Sequence, residues 1–255
     1  MPRIHDSRVK LARADRHIKE LNRNLERFLQ SSPYSIISQF DPELPGYRLW
    51  GKVHRQLRQE WTALLGDAIH NLRAALDNIA WDLAGHPIND NLIEFPIFDT
   101  EYKFEHNRIN GTRKMRGMST AVQDIIIGLQ PYKSPHGKTP DLEPLWLVQR
   151  LDIEDKHHRL NLVGATSSTA TSSLTAPGLP DMAYTSRRWQ PFEDGQELEP
   201  LRNFFSSSDP NSRHNVIGTF DVSLDPEGPA KGMALRECLF DCRYAVEEVL
   251  VKLGY

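Results

Sequence analysis

Residues 66–84 read GDAIHNLRAALDNIAWDLA. With the five residues before them they set Trp61, Leu65, Ile69, Leu72, Leu76, Ile79 and Leu83 at spacings of three and four. At ~100° per residue these seven fall within about 80° of one another, the pattern of an amphipathic helix. Gly85 follows as a C-terminal cap, since glycine enters the left-handed region without strain. The stretch 47–84 thus carries the strongest structural signal in the chain, and its helix is the element around which a core would assemble.

Working outward, residues 6–30 predict a second long amphipathic helix on Leu11, Ala14, Ile18, Leu21, Leu25 and Phe28. Ser31, Ser32 and Pro33 end it, because proline disfavours helix at the residue before it. Residues 34–46, with their prolines, read as a connection. FPIF, Phe95 to Phe98, reads as a buried extended connection. Further helices are expected over 119–129, stopped by Gln130-Pro131-Tyr132, and over 141–156, on Leu145, Trp146, Val148 and Leu151.

The period then changes. Leu160, Leu162 and Ala165 alternate as in a strand, and Val216, Gly218, Phe220, Val222 and Leu224 do so more clearly. Between them lie a Ser/Thr-rich stretch, 166–175, a third strand over Tyr184–Trp189, and the turn Glu193-Asp194-Gly195. A closing helix over 232–253 has its seam on Leu235, Leu239, Cys242, Val246, Val249 and Leu253. This order implies an α+β fold: a mainly helical bundle with a small, mostly antiparallel sheet of three or four strands inserted before the C-terminal helix. One domain over 1–255 is expected, helical over about 6–158 and 232–253 and strand-rich over about 159–225, with the last helix returning to the N-terminal bundle.

The 255 residues are 39% hydrophobic and 25% charged, an ordinary globular composition that excludes a disordered or collagen-like chain. A net charge of −3 argues against a wholly basic nucleic-acid binder. Locally, residues 3–27 hold eight Lys/Arg against four acids, and residues 102–116 five against one. Such segments could contact phosphates. Solvated surface is the favoured explanation, so nucleic acid is not the favoured partner. EHNRINGTRKMRGMS, residues 105–119, reads as a mobile loop over the polar face of the second helix. No apolar run reaches the ~18–20 residues of a membrane span, and MPRIHDSRVKLARADRH lacks an apolar signal core. Cys238 and Cys242 are the only cysteines, which excludes a disulfide framework and a zinc ribbon and points to a reducing cytoplasm.

Two groups of residues could carry chemistry. On the second helix His70, Arg73 and Asp77 lie on one side of the wheel, away from the apolar stripe, with Gly66 and Trp81 beside them. As a pocket, His70 would act as acid or base, Arg73 as an anion clamp and Asp77 as an orienter or metal ligand. As structure, the three would be a buried polar network that fixes the register of the bundle. The second group is LDIEDKHHRL, residues 151–160, at the junction of the fourth helix and the first strand. Asp152, Glu154, Asp155, His157 and His158 are potential metal ligands, but their spacing fits no metal motif such as HExxH. Lys156, His157 and Arg159 also suit the negative end of a helix dipole. No metal and no cofactor are therefore expected. The nucleotide fingerprints GxGxxG and GxxxxGK[ST], the GxSxG elbow and the kinase set are all absent.

In order along the chain, HNLRAALD, FPI, LQPY and DKHHRL, followed by PFEDGQELEPL, resemble a bacterial protein family that shows HNLR-x-ALD, FPI, LQPY and DKHR-x-L in that order and has no established activity. Here the last motif has an extra histidine, so either His157 or His158 could hold the family position. A looser, architectural similarity is to HEPN-type helical bundles, RNA-cleaving or nucleotide-associated proteins marked by Arg, four to six residues, then His. Arg150 to His157 and Arg48 to His54 have that spacing. Chance alone yields about two or three such pairs in a chain of this composition.

Taken together, the sequence leads to a cytoplasmic binding or interaction protein. Its helical bundle would present His70, Arg73 and Asp77 near Asp155 and His157 to a small anionic ligand or a protein partner. The alternatives are a hydrolase or HEPN-like RNase with His70 or His157 as the proton-transfer group, and a purely structural network with function in an oligomer interface.

Overall fold

The computed structural model describes residues 4–41, 46–86, 92–134, 142–157, 160–175, 182–186, 190–191, 193–198 and 213–255. Its helices are α1 (Ile4–Gln30), α2 (Glu60–Leu83), α3 (Glu101–His106), α4 (Gly111–Lys114), α5 (Thr120–Gly128), α6 (Pro144–His157) and α7 (Leu235–Lys252). Its strands are β1 (Tyr34–Asp41), β2 (Gly46–Val53), β3 (Leu162–Thr175), β4 (Met182–Ser186), β5 (Gln190–Pro191) and β6 (Arg213–Leu224). The α+β, mainly helical architecture follows from this order.

α2 is the central helix. Leu65, Ile69, Leu72, Leu76 and Ile79 have no exposed surface, and burying each such side chain is worth roughly 1.5–3 kcal/mol. The stripe packs against α1, α6 and α7. α1 ends where Ser31 turns back, its hydroxyl donating to the Phe28 carbonyl at 2.6 Å. Ser32 then takes φ 51°, ahead of Pro33. α2 ends at Gly85, whose φ of 76° only glycine adopts easily. α7 returns to the N-terminal helices, with Arg243 Nε donating to Asp15 at 3.0 Å and Arg8 pairing with Glu247 at 2.5 Å. Cys238 and Cys242 are buried on its seam. A hydrogen bond with Cys238, then burial, holds the Cys242 thiol well above its ordinary pKa, which leaves it protonated and a poor nucleophile.

Three expectations need correction. Residues 34–46 are not a plain connection: β1 pairs antiparallel with β2, from Tyr34 opposite Val53 to Asp41 opposite Gly46. The 47–84 stretch accordingly begins as a strand, and the molecule has a second sheet within the region read as helical. The Ser/Thr-rich residues 166–175 do not separate strands but form most of β3. β3 is the central strand of the larger sheet, paired with β6 along one edge and with β4 and β5 along the other. Residues 105–119 are not simply a loop either. They contain the end of α3 and all of α4, helices capped by Thr100, whose hydroxyl accepts from Lys103 N, and by Asn110, whose side chain accepts from Arg113 N. Gly111 opens α4 because a Cβ there would lie 2.2 Å from the Phe104 ring. The expected strand Tyr184–Trp189 appears as β4 up to Ser186; its last three residues lie outside the described set, as do His158 and Arg159.

The two sheets meet. Tyr34 of β1 packs its ring 5.5 Å from that of Phe220 on β6. Gly164 of β3 leaves room for the Tyr34 hydroxyl, which a Cβ would meet at 2.4 Å. The Glu193-Asp194-Gly195 turn is present, and the chain after it adds to β2, with Leu198 N donating to Leu49 O at 2.8 Å.

Candidate functional site

Arg73 and Asp77 sit one turn apart on α2, facing the extended segment Glu94–Phe98. That segment is buried without being in a helix or a sheet, so its backbone polar groups need partners. Side chains supply them. Arg73 Nη2 donates to the Phe95 carbonyl at 2.9 Å and to Asp77 Oδ1 at 2.7 Å, and the same Asp77 oxygen accepts from Phe95 N at 3.1 Å. From the other side Gln130, after α5, donates to Pro96 O at 2.8 Å and accepts from Phe98 N at 3.1 Å. Glu94 lies 3.8 Å from Arg73 and is tied at 2.7 Å to Lys114 of α4. Arg73 is 4% exposed and Gln130 2%. Burial raises the Asp77 pKa, while the Arg73 guanidinium and the Phe95 N–H oppose that rise. The residues of HNLRAALD, FPIF and LQPY thus form one interlocked unit that holds an irregular segment against the core.

One turn earlier on α2 the surroundings differ. His70 is about half exposed, its side chain at 53%. Its Nδ1–H donates to Asp152 Oδ1 of α6 at 3.1 Å. Asp152 is buried, and its other oxygen accepts from Lys156 Nζ at 2.5 Å. With Nδ1 occupied, Nε2 is the ring nitrogen left to accept a proton. Asp155, one turn along α6, lies over Gly66 so closely that a Cβ there would meet its carboxylate at 2.3 Å. Desolvation of that carboxyl raises its pKa first, and the charges of Asp152 and Asp67 raise it further; His70 and Lys156 lower it. Gly66 is thus what allows α6 to bring a carboxyl alongside His70.

The five residues singled out from sequence therefore divide. Arg73 and Asp77 belong to the lock: Arg73 Nη2 is bonded to two protein oxygens, while its buried Nη1 has no hydrogen-bond partner. His70 and Asp155 come together at the α2–α6 contact. His157 is exposed at the end of α6 and joins neither cluster. Of the two Arg/His spacings, Arg48 and His54 lie on and just after a β-strand, with Arg48 paired to Asp41 at 2.5 Å and His54 Nε2 bonded to Ser35 Oγ at 2.8 Å. Arg150 of α6 faces the flank away from His70.

Asp152 was legible only as a possible metal ligand, and its role behind His70 was missed. A signal existed: Leu145, Val148, Asp152 and Asp155 continue one seam at spacings of three and four, so Asp152 occupies a core position where an acid needs a partner. Among the described residues no three His, Cys, Asp or Glu side chains gather to hold a metal ion. Among them, too, no helix is long and apolar enough to cross a membrane. Comparison of the chain with protein-family models, with curated proteins and with solved structures gives no match.

Proposed function

We propose that the protein is an enzyme that works by general acid–base catalysis at the α2–α6 contact, with His70 as the proton-transfer group. The observation that carries this reading is a half-exposed imidazole whose Nδ1–H is held by a buried carboxylate, itself fixed by Lys156. Asp152 sets the tautomer and ring orientation and stabilises the imidazolium once Nε2 has taken a proton, from water or from a substrate hydroxyl. Asp155, with its raised pKa, keeps its proton to higher pH than an ordinary carboxyl and can deliver it to a leaving group. The reaction class is hydrolysis assisted by one base and one acid.

The charge around the site narrows the substrate. With Asp155 protonated and His70 neutral as the base, the carboxylates of Asp67 and Asp152 still outnumber the one lysine, Lys156. Such a field repels a polyanion and suits a neutral or cationic substrate, so RNA cleavage is the weaker form of the enzyme reading.

The test is a panel of neutral and cationic chromogenic esters and amides, assayed across pH beside an RNA oligonucleotide. The expected result is turnover of a neutral or cationic member that falls by about 10²–10⁴-fold in His70→Gln, falls in Asp152→Asn, and survives His157→Ala. Turnover that survives His70→Gln, RNA cleavage that requires His157, or no turnover in any arm would overturn the reading.

A further inference from the structure

The opposite flank of α6 borders a hollow of about 300 Å³ between that helix, the 92–99 segment, α3 with the chain just after it, and the end of α4. Trp146, Gln149 and Arg150 of α6 line one side, and Lys103, Asn107 and Lys114 the other. This volume is at the lower end of the range for small-molecule sites.

The polar groups of the hollow are unevenly matched. Lys103 is paired with Asp99 at 2.6 Å and Lys114 with Glu94 at 2.7 Å. Arg150, partly buried, has no ion pair with any described acid. One cation is therefore left over, and it is the one whose planar fork fits a carboxylate at two points. Two buried oxygens in the lining, Asp99 Oδ1 and Gln149 Oε1, lack a hydrogen-bond donor. Buried acceptors without donors are rare in native proteins and call for a partner, which a water, an ion or a ligand can supply. The remaining lining is apolar: Ile97, Phe98, Ile109 and Ile153 beside the Trp146 ring.

We infer that this hollow binds a small carboxylic acid that also carries a hydrogen-bond donor and an apolar body. Its carboxylate seats on Arg150, its donor meets Asp99 Oδ1 or Gln149 Oε1, and its apolar body lies against Trp146 and Ile153. The site is separate from His70, from which α6 divides it, and stands whether or not His70 is catalytic.

The experiment follows the indole N–H signal of Trp146, assigned with Trp146→Phe, on titration of the full chain with three compounds. L-phenylalanine has all three features, 3-phenylpropionate lacks the donor and L-phenylalaninamide lacks the carboxylate. The expected result is a saturable shift with L-phenylalanine, weaker binding of 3-phenylpropionate and none of the amide. Arg150→Gln should weaken L-phenylalanine binding by about tenfold or more while the melting temperature stays near wild type. His70→Gln should leave binding unchanged. A signal that moves with none of the three compounds, an amide that binds as well as the acid, or an Arg150→Gln variant that binds like wild type would overturn the inference.

Discussion

Arg73 and His70 are three residues apart on the same side of one helix, yet the fold treats them differently. Arg73 meets a buried irregular segment, and its buried guanidinium joins Asp77, itself 35% exposed, and the Phe95 backbone in one lock. His70 meets the last turns of α6, where one carboxylate lies behind it, another beside it, and half of its surface faces solvent. The difference teaches that a polar helix face is not a site by composition. What decides is whether the neighbouring element needs hydrogen bonds for its own backbone, as Glu94–Phe98 does, or arrives with its backbone already satisfied, as helical α6 does. In the first case the side chains become structure. In the second they are free for chemistry.

The contrast can be broken most forcefully at Arg73. Arg73→Ala leaves Asp77 and the Phe95 carbonyl without their cation, and should destabilise the protein by about 3 kcal/mol or more in denaturant unfolding. A loss below about 1 kcal/mol would remove the lock from the account. Gln130→Leu keeps the bulk but strands Pro96 O and Phe98 N, and a cost of about 2 kcal/mol is expected in the same assay. If the two losses add fully, the segment is not one interlocked unit, because coupled positions depart from additivity.

Gly66→Ala sharpens the other half. Alanine is worth up to about 1 kcal/mol more than glycine within a helix, and the atom its Cβ would strike is the end of the Asp155 side chain, which can swing away. Stability should therefore change little, while any His70-dependent turnover should fall because the second carboxyl is displaced. Full turnover in this variant would sever Asp155 from the site.

The smallest expected effect concerns pH. The folded-state pKa of Asp155 is raised, so around its titration the folded protein binds more protons than the unfolded chain. This contribution to stability is present at low pH, below the unfolded value, and is lost as pH rises through the raised one. Asp155→Asn should flatten that part of the stability–pH curve and leave the variant no less stable than wild type at neutral pH. A variant clearly less stable at neutral pH would show that the ionised carboxylate supports the fold.

Much of the fold could be read in the chain because long apolar periods announce helices. α1, α2, α5, α6 and α7 lie where Leu, Ile and Val recur at three and four. β1 and β2 escaped because, among the described residues of the hairpin, only Tyr34, Leu49 and Gly51 are buried, and a glycine adds no apolar side chain to make the alternation visible. The start of β3 was legible in Leu162 and Ala165, but residues 166–175 escaped because their Ser/Thr composition resembles a loop, whereas their order comes from pairing on both edges. In the site, the wheel put His70, Arg73 and Asp77 on one side of α2 but could not say which neighbour each would meet. That depends on contacts between α2 and segments about 20 and 80 residues further along, which no local pattern encodes.

The most direct test of the division between lock and site is denaturant unfolding of His70→Gln and Arg73→Ala side by side. His70→Gln is expected to stay within about 0.5 kcal/mol of wild type, since it removes a half-exposed ring and leaves Asp152 bonded to Lys156. Arg73→Ala should lose about 3 kcal/mol or more. Equal losses in the two variants, or a greater loss in His70→Gln, would contradict that division.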